Sequence, residues 1–541
     1  MVPEALRDPE TDPLATLVLE PELVADLVRR ARATGPHATH HAPWTGAPLA
    51  TLPQSTPEDL AAAARTARAA QRRWAVTGHR ERAALLRRTA QLVLARQSDV
   101  LDLIQLENGK ARAAALEEVA DVVLGARFLA GHAGRVLAEQ RRPGLLGPLT
   151  SVRVARDPAG VVAVVAPWNY PLSLTLGDVL PALAAGNAVL LRPDPQTPLT
   201  ALWAAELLAD AGFPDDLVQV VLGDGPTVGD RLIDHADHLL FTGSTATGRL
   251  VAARAGGELV PSTLELGGKN ALYVAGDADP DLAAEGAVRA CFGGTGQLCM
   301  SVERLYVHRD VAAAFSTAFR RRVRALRLGT GLDYGYDLGS LTGPEQLARV
   351  VEHVEDALSG GARLLTGGAQ RPEIGPYVYE PTVLTDVGPH ARMFAEETFG
   401  PVVALGEVRS DDEAVAAMND TRYGLHAAVW SGSVRRGRAV ADRLRVGSVD
   451  ANEGYQASWG SWAAPQGGRA DSGWGARHGA EGLLALTRSR TVAVQRGVHA
   501  GLGPGRLLSG PPEHWAPLLL SGLRLLSGVR PGRGPRPPAA G

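Results

Sequence analysis

Two cysteines occur in this chain of 541 residues, and Cys299 sits in a run of glycines, FGGTGQLCMS (292–301). A thiol in such a place is either small buried packing or a nucleophile with a narrow backbone that other molecules can approach. The residue types that a nucleophilic thiol needs lie close by. Glu265, in LELGGKN (264–270), is a carboxyl in an apolar, glycine-rich text. Such a setting raises its pKa and suits it to take a proton. VAPWNYP (165–171) ends an apolar run with an aromatic, Trp168, and an amide, Asn169. EETFGPV (396–402) adds Glu397 and Phe399 before a Gly-Pro turn. Cys291 reads as core, because ACF lies in an apolar helical stretch with no base beside it.

FTGSTATG (241–248), with Gly243 and Ser244, lacks both GxGxxG and the GKS or GKT of a P-loop. Alone it is a glycine turn into a helix N-terminus, where backbone N–H groups can meet phosphate. Its neighbours strengthen that reading. Residues 57–138 are rich in Ala and Leu at helical spacing. From 161 the text alternates: strands over 161–167, 187–193, 217–223 and 238–243, with helical stretches between. That repetition predicts a parallel sheet covered by helices on both faces, with ligands at the carboxyl ends of its strands. A second α/β block runs from about 268 to 462, with NALYV, ERLYVH and PVVALGEV as strands.

Composition excludes several classes. Apolar content of 45%, charged content of 21% and a formal charge of −3 describe an ordinary globular chain with no call for a polyanionic partner. The basic run FRRRVRALRLG (319–329) has apolar residues interleaved and reads as a solvated or interface face, not a nucleic-acid site. HATHH (37–41) reads as a surface segment. Two cysteines eight apart make neither a disulfide framework nor a zinc site. No 18-residue apolar run and no hydrophobic leader occur, so the cytoplasm is the expected location, with no membrane partner. Only Lys110 and Lys269 are lysines, against 53 arginines. Two lysines kept against such a bias point to a task that arginine cannot do.

In this order and spacing the motifs resemble the aldehyde dehydrogenase superfamily, from about residue 40 to 496. PWNYP, ALAAGNAVLLRP, FTGSTATG, LELGGKN, GQLCMSVER, EETFGPV, NDTRYGL and PQGGRADSG carry the resemblance. Within the family, GSTATGR, AVRACF and EGYQASWGSWAAPQGG look most like bacterial NADP-type succinate-semialdehyde enzymes. The resemblance implies Cys299 as nucleophile, Asn169 as oxyanion-hole amide and Glu265 as the base that activates water. It implies Glu397 as ligand of the nicotinamide ribose, with Phe399 beside it. Trp168, Gly243, Ser244 and Leu266 match further cofactor positions. Where the family commonly reads KPSE, this chain reads Arg192-Pro193-Asp194-Pro195. Losing that Glu removes a charge that would repel a 2′-phosphate, which favours NADP over NAD, with NAD still possible. Gly294 stands where the family often has Asn. Gly177 stands where some succinate-semialdehyde enzymes place an Arg for the distal carboxylate, which leaves the aldehyde open.

The implied architecture is α/β in three parts. A Rossmann-like, doubly wound cofactor domain takes 20–138 and 158–267. An α/β catalytic domain takes 268–480. A small β oligomerisation arm takes 139–157 and 481–496. Residues 1–19 read as a flexible extension. The tail, 497–541, contains an amphipathic stretch at 515–529. An exposed strand edge in the arm is normally covered, so a homodimer or homotetramer is expected. A CoA-acylating member, a non-catalytic member and a thiol esterase are the alternatives. Glu265 argues against the first, since acyl transfer to CoA needs no water base.

Overall fold

A computed structural model of the chain describes residues 21–145, 149–496 and 510–527, with Leu19 and Gly505. The expected N-terminal extension lies outside the described residues apart from Leu19, as does most of the tail. Contacts group residues 21–136 with 158–488 as one compact unit, and 137–157 with the segment from 489 onward as another.

The first unit begins with helices Pro57–Trp74, His79–Ala95, Gln97–Asn108 and Arg112–Val136. The first of these starts at a capping box, in which Thr56 and Asp59 each accept the other's backbone N–H and Pro57 opens the helix. Its first sheet runs Val218–Val220, Ala188–Pro193, Val161–Ala166, His238–Thr242 and Ser262–Glu265, all parallel. All six residues of Val161–Ala166 are buried, as a strand covered on both faces requires. Chain order runs outward in both directions from that strand. The switch point therefore falls between Val161–Ala166 and His238–Thr242, where a doubly wound sheet opens a crevice.

Two boundaries differ from the sequence reading. Gly473–Trp474, expected inside the catalytic block, add an antiparallel edge strand to this first sheet, opposite Glu265 and Leu264. Helix Gly479–Ala485, whose end was assigned to the arm, belongs to the body: Leu483 is buried, and the Leu486 carbonyl accepts from Ala159 N–H and Asn187 Nδ2.

The second sheet of this unit has the order Arg363–Thr366, Thr382–Thr385, Val402–Val408, Val302–His308, Asn270–Val274, His426–Trp430, Ser448–Ala451. Only its first strand is antiparallel to its neighbour. Cys291 lies in the core on one face, with Phe292, Phe315 and Phe319. Helix Arg309–Arg324 buries Phe315, Phe319 and Val323, while Arg321 and Arg322 pair with Asp281 on the outside. HATHH lies at the surface as strand His37–His41, paired with Pro48–Pro53, with only His40 of the five buried.

The second unit holds a three-stranded sheet ordered Thr487–Gln495, Thr150–Pro158, Gln140–Arg142. Strand Thr487–Gln495 is its edge and is exposed over most of its length. Helix Pro512–Ser527 covers most of the stretch read as amphipathic and exposes Leu518, Leu519, Leu520 and Leu523. Among the described residues no helix is long and apolar enough to cross a membrane.

Candidate active site

The carboxyl ends of the first sheet's strands face the amino ends of the second sheet's strands. Asn169 follows Val161–Ala166, Thr242 ends His238–Thr242, and Glu265 ends Ser262–Glu265. Cys299 precedes Val302–His308, and its carbonyl accepts from Asn270 Nδ2 at 2.6 Å, at the start of the neighbouring strand. Cys299, Glu265, Leu266 and Thr242 thereby line one cavity of about 50 Å³, together with Tyr170 and Trp459.

The loop before Cys299 needs its glycines. Gly294 and Thr295 both hold positive φ, 57° and 60°, a region that costs a Cβ-bearing residue about 1 kcal/mol or more. A Cβ on Gly294 would also stand 2.9 Å from the Tyr170 hydroxyl. Asn169 is 5% exposed and donates through Nδ2 to the Gln297 carbonyl at 2.9 Å, which ties the amide to the loop of the thiol. The Cys299 N–H has no hydrogen-bond partner among the described residues. A free N–H and the second proton of an amide are the donor types an oxyanion needs.

Electrostatics set the resting state. Burial, then Glu265 and Glu397, push the Cys299 thiol up to about 12, while Arg477 and the Met300 N–H pull it down. Burial pushes Glu265 up to about 8, against the pull of Arg477 and with a small push from Asp178. Glu265 Oε1 is buried and unpartnered. A protonated thiol beside a carboxylate that titrates near neutrality is a pair across which one proton can move. Burial, then the charge of Glu303, push the Cys291 thiol far up, and its neighbours are the apolar core residues around Phe292, Phe315 and Phe319, while Glu303 is paired with Lys269.

Each of the two lysines makes a buried ion pair that holds part of the site. Lys110 Nζ pairs with Glu118 at 2.7 Å and donates to the Asn169 carbonyl at 2.5 Å. Glu118 accepts from Leu172 and Ser173 N–H at 2.8 and 3.0 Å. Asn108 donates to the Trp168 carbonyl at 2.9 Å. Lys269 pairs with Glu303 at 2.5 Å. Glu303 in turn accepts from Thr398 and Phe399 N–H at 2.9 and 2.8 Å. Phe399 sits at φ 57° and is held there also by Gln346, which donates to its carbonyl at 2.7 Å. A guanidinium is planar and far larger than an ammonium point charge, so neither position suits arginine.

The expected cofactor residues converge on the same crevice. Trp168 meets Phe399 edge-on, with ring centroids 5.4 Å apart. Glu397 accepts from Gly268 N–H at 2.8 Å, and burial, then Glu303, push it up to about 8. A Cβ on Gly267 would lie 2.9 Å from the Glu397 carboxyl carbon, so that close approach requires glycine. Ser244 caps helix Thr245–Gly257 by accepting Thr247 N–H, and Gly243 N–H donates to the Glu265 carbonyl. Arg192, Pro193, Asp194 and Pro195 lie at the end of the next strand. Arg192 is buried, donates through Nε to the Gly223 carbonyl at 2.9 Å, and makes no ion pair among the described residues. Asp194 turns onto the Gln196 N–H at 3.0 Å. A capped helix N-terminus beside the switch point and a guanidinium with free donors at the end of the strand next to Val161–Ala166 are group types that meet the phosphates of a dinucleotide.

Sequence reasoning did not single out Glu118, Glu303, Asp178 or Arg477. The available signal was a charge inside an apolar run: Glu303 in VERLYV, Asp178 in LSLTLGDVLPALAAG.

Comparison with known proteins agrees with this geometry. The model of the aldehyde dehydrogenase family matches residues 31–492. The chain belongs to that family. A Mycolicibacterium smegmatis protein is 49% identical over 84% of this chain and 88% of its own. A Mycobacterium tuberculosis protein is 48% identical over 86% and 90%. Both carry the provisional name of an NADP(+) succinate-semialdehyde dehydrogenase. Among solved structures, an NADP-dependent enzyme of E. coli superposes with TM-score 0.82 at 33% identity, over 85% of this chain and 95% of that one. The NAD+ complex of a Bacillus cereus aldehyde dehydrogenase gives 0.83 at 31%, over 88% and 99%.

Proposed function

We propose that the protein oxidises an aldehyde to its carboxylic acid with NADP, through a thioester on Cys299, and that succinate semialdehyde is its substrate. The observation that carries the reading is the shared cavity of Cys299 and Glu265, with Asn169 tied to the thiol's loop through Gln297.

The Cys299 proton leaves toward Glu265, and the sulfur forms a bond to the aldehyde carbon. The carbonyl oxygen takes the negative charge and is met by Asn169 Nδ2 and the Cys299 N–H. When bound, the nicotinamide supplies the acceptor for the hydride that leaves that carbon, which turns the adduct into a thioester. Glu265 releases the thiol proton to solvent and, as a carboxylate again, takes a proton from water; the water oxygen bonds to the acyl carbon, the C–S bond breaks to release the acid, and the proton on Glu265 passes to the leaving sulfur to return the thiol. Trp168, Phe399 and Glu397 would hold the nicotinamide riboside, and Gly243 and Ser244 the phosphates. Arg192 would take a 2′-phosphate, since Pro195 offers no opposing charge and Asp194 is spent on Gln196.

Support for the substrate comes from the names of the relatives. The lining adds a constraint: Gly177 leaves only Trp462, at 4.0 Å, beside its missing side chain. Gly177 lines the neighbouring cavity with Asp178 and Arg477, while the Cys299 cavity combines apolar Tyr170, Leu174 and Met300 with polar Ser448, Gln466 and Arg477. A homo-oligomer in the cytoplasm completes the reading, supported by the exposed edge strand Thr487–Gln495. The test is initial rates on succinate semialdehyde and hexanal, with NADP and NAD in parallel and no CoA. A clear preference for succinate semialdehyde with NADP is expected. Equal rates on the two aldehydes would remove the carboxylate-specific assignment, and a requirement for CoA would remove the hydrolytic one.

A further inference from the structure

Arg477 is the cation of the catalytic cavity, and nothing in the chemistry above uses it. It lies in the loop between Gly473–Trp474 and helix Gly479–Ala485, fixed by backbone hydrogen bonds in both directions with Gln466, at 2.7 and 2.8 Å. The next residue, His478, stacks on Trp462 with centroids 3.8 Å apart, and Trp462 Nε1 donates to Asp121 at 2.8 Å. The guanidinium is thus aimed by a rigid segment. Its Nη2 donates to Asp178 Oδ2 at 2.5 Å and also to the Thr242 hydroxyl. The side chains of Arg477 and Asp178 are 11% and 2% exposed. Arg477 lines the cavity that holds Glu265 and Cys299, and with Asp178 it lines a second cavity of about 20 Å³ behind it. Arg477 Nε and Glu265 Oε1 are a buried donor and a buried acceptor on the one catalytic cavity, both without a partner among the described residues.

We propose that Arg477, held by Asp178 and Thr242, is a positioning residue that sets the charge of Glu265 and so the pH at which the acyl-enzyme is hydrolysed. The proposal rests on Glu265 as the deacylation base. Three charged or titratable groups bear on Glu265: Arg477 from the loop before helix Gly479–Ala485, Asp178 from helix Pro171–Ala185, and Cys299 from the nucleophile loop. Thr242, from the neighbouring strand, is neutral. Arg477 favours the carboxylate and Asp178 opposes it, the arginine more strongly. A buried base would otherwise stay protonated, because burial disfavours its charge. Asp178 keeps the guanidinium in place and moderates its pull, so the two residues form an adjustable pair with opposite signs at Glu265.

Opposite signs give the test. Full-length enzyme with NADP is mixed with propanal in a single turnover. The rise of reduced nicotinamide reports acylation, and acid release is followed as a function of pH. Arg477→Gln is expected to move the midpoint of acid release up by roughly one unit or more, and Asp178→Asn to move it down. Arg477→Lys is expected to restore most of the original midpoint. A pair with only a structural role would lower activity in both variants and leave the midpoints unmoved or shifted together, and either result overturns the proposal. Where Arg477→Gln alone does not fold, the neutral double variant Arg477→Gln/Asp178→Asn decides. Its midpoint is expected above that of Asp178→Asn, and coincidence of the two overturns the proposal. Glu265→Gln is the control: acid release at an unaltered rate would overturn both the base assignment and this inference, whereas its loss with unmoved Arg477 and Asp178 midpoints overturns the inference alone.

Discussion

The ammonium of Lys110 lies 2.5 Å from the carbonyl oxygen of Asn169, the residue whose side chain faces the nucleophile's loop. Its other partner is Glu118, and its Nζ also stands 3.6 Å from the centre of the Tyr170 ring. One buried charge therefore holds the backbone that carries the Asn169 amide, the proposed oxyanion donor. A buried pair of this kind adds little net stability as a pair, but breaking it strands a charge at a cost of about 3–5 kcal/mol.

Lys110→Met is accordingly expected to lower stability by about 3–5 kcal/mol in denaturant unfolding and to reduce kcat in the folded fraction. Asn169→Ala is expected to lose about 10²–10³ in kcat with a far smaller effect on stability. Equal stability losses in the two variants would show that Asn169 matters for packing and not for the oxyanion.

Lys269 and Glu303 do the same work for the other half of the site. Glu303→Gln leaves one oxygen to accept from Thr398 and Phe399 but removes the charge that pairs with Lys269. The strained Phe399, at φ 57°, then loses part of what holds it. The expected result is a raised KM for NADP with little change in the KM for aldehyde. A change confined to the aldehyde KM would contradict the placement of Glu397 and Phe399 at the cofactor.

The pH dependence follows from Glu265. Its carboxyl is held up at about 8, and a base acts only when deprotonated. Hydrolysis of the acyl-enzyme is therefore expected to rise with pH and level off above about 8. The free thiol is pushed up to about 12. Alkylation of Cys299 by iodoacetamide in the cofactor-free enzyme is expected to keep increasing through the alkaline range. A plateau near neutrality would mean that the thiolate is stabilised in the cavity, against the effect of burial, Glu265 and Glu397.

Pro195 governs the nucleotide in this reading. Pro195→Glu restores a carboxylate beside Arg192 and the place of a 2′-phosphate. The KM for NADP is expected to rise about tenfold for each 1.4 kcal/mol of repulsion introduced, with NAD oxidation kept or improved. Unchanged NADP kinetics would place the phosphate elsewhere.

Much of this was legible in the sequence because each piece was local. The strand runs 161–167 and 238–243 were contiguous apolar segments, and FTGSTATG carried its own cap, Ser244. Cys299, Glu265 and Asn169 stood out as a thiol, a carboxyl and an amide in glycine-rich or apolar text. The pairs that hold them were not legible, because each joins residues far apart in the chain. Lys110 reaches Asn169 across 59 residues, and Arg477 reaches Asp178 across 299. The rarity of lysine hinted that Lys110 and Lys269 mattered without saying to what. The body's boundary near 488 was hidden for a related reason: helix Gly479–Ala485 is claimed by contacts with Ala159 and Asn187, far upstream.

The central claim is that the acyl group is carried by Cys299 and released by Glu265. Glu265→Gln enzyme, given NADP and propanal and quenched in acid, tests it by intact and peptide mass. The expected result is one reduced nicotinamide per active site, no further turnover, and a propionyl mass on the peptide at Cys299 with none at Cys291. Sustained turnover by Glu265→Gln, or reduced nicotinamide formed without an acyl mass on Cys299, would contradict it.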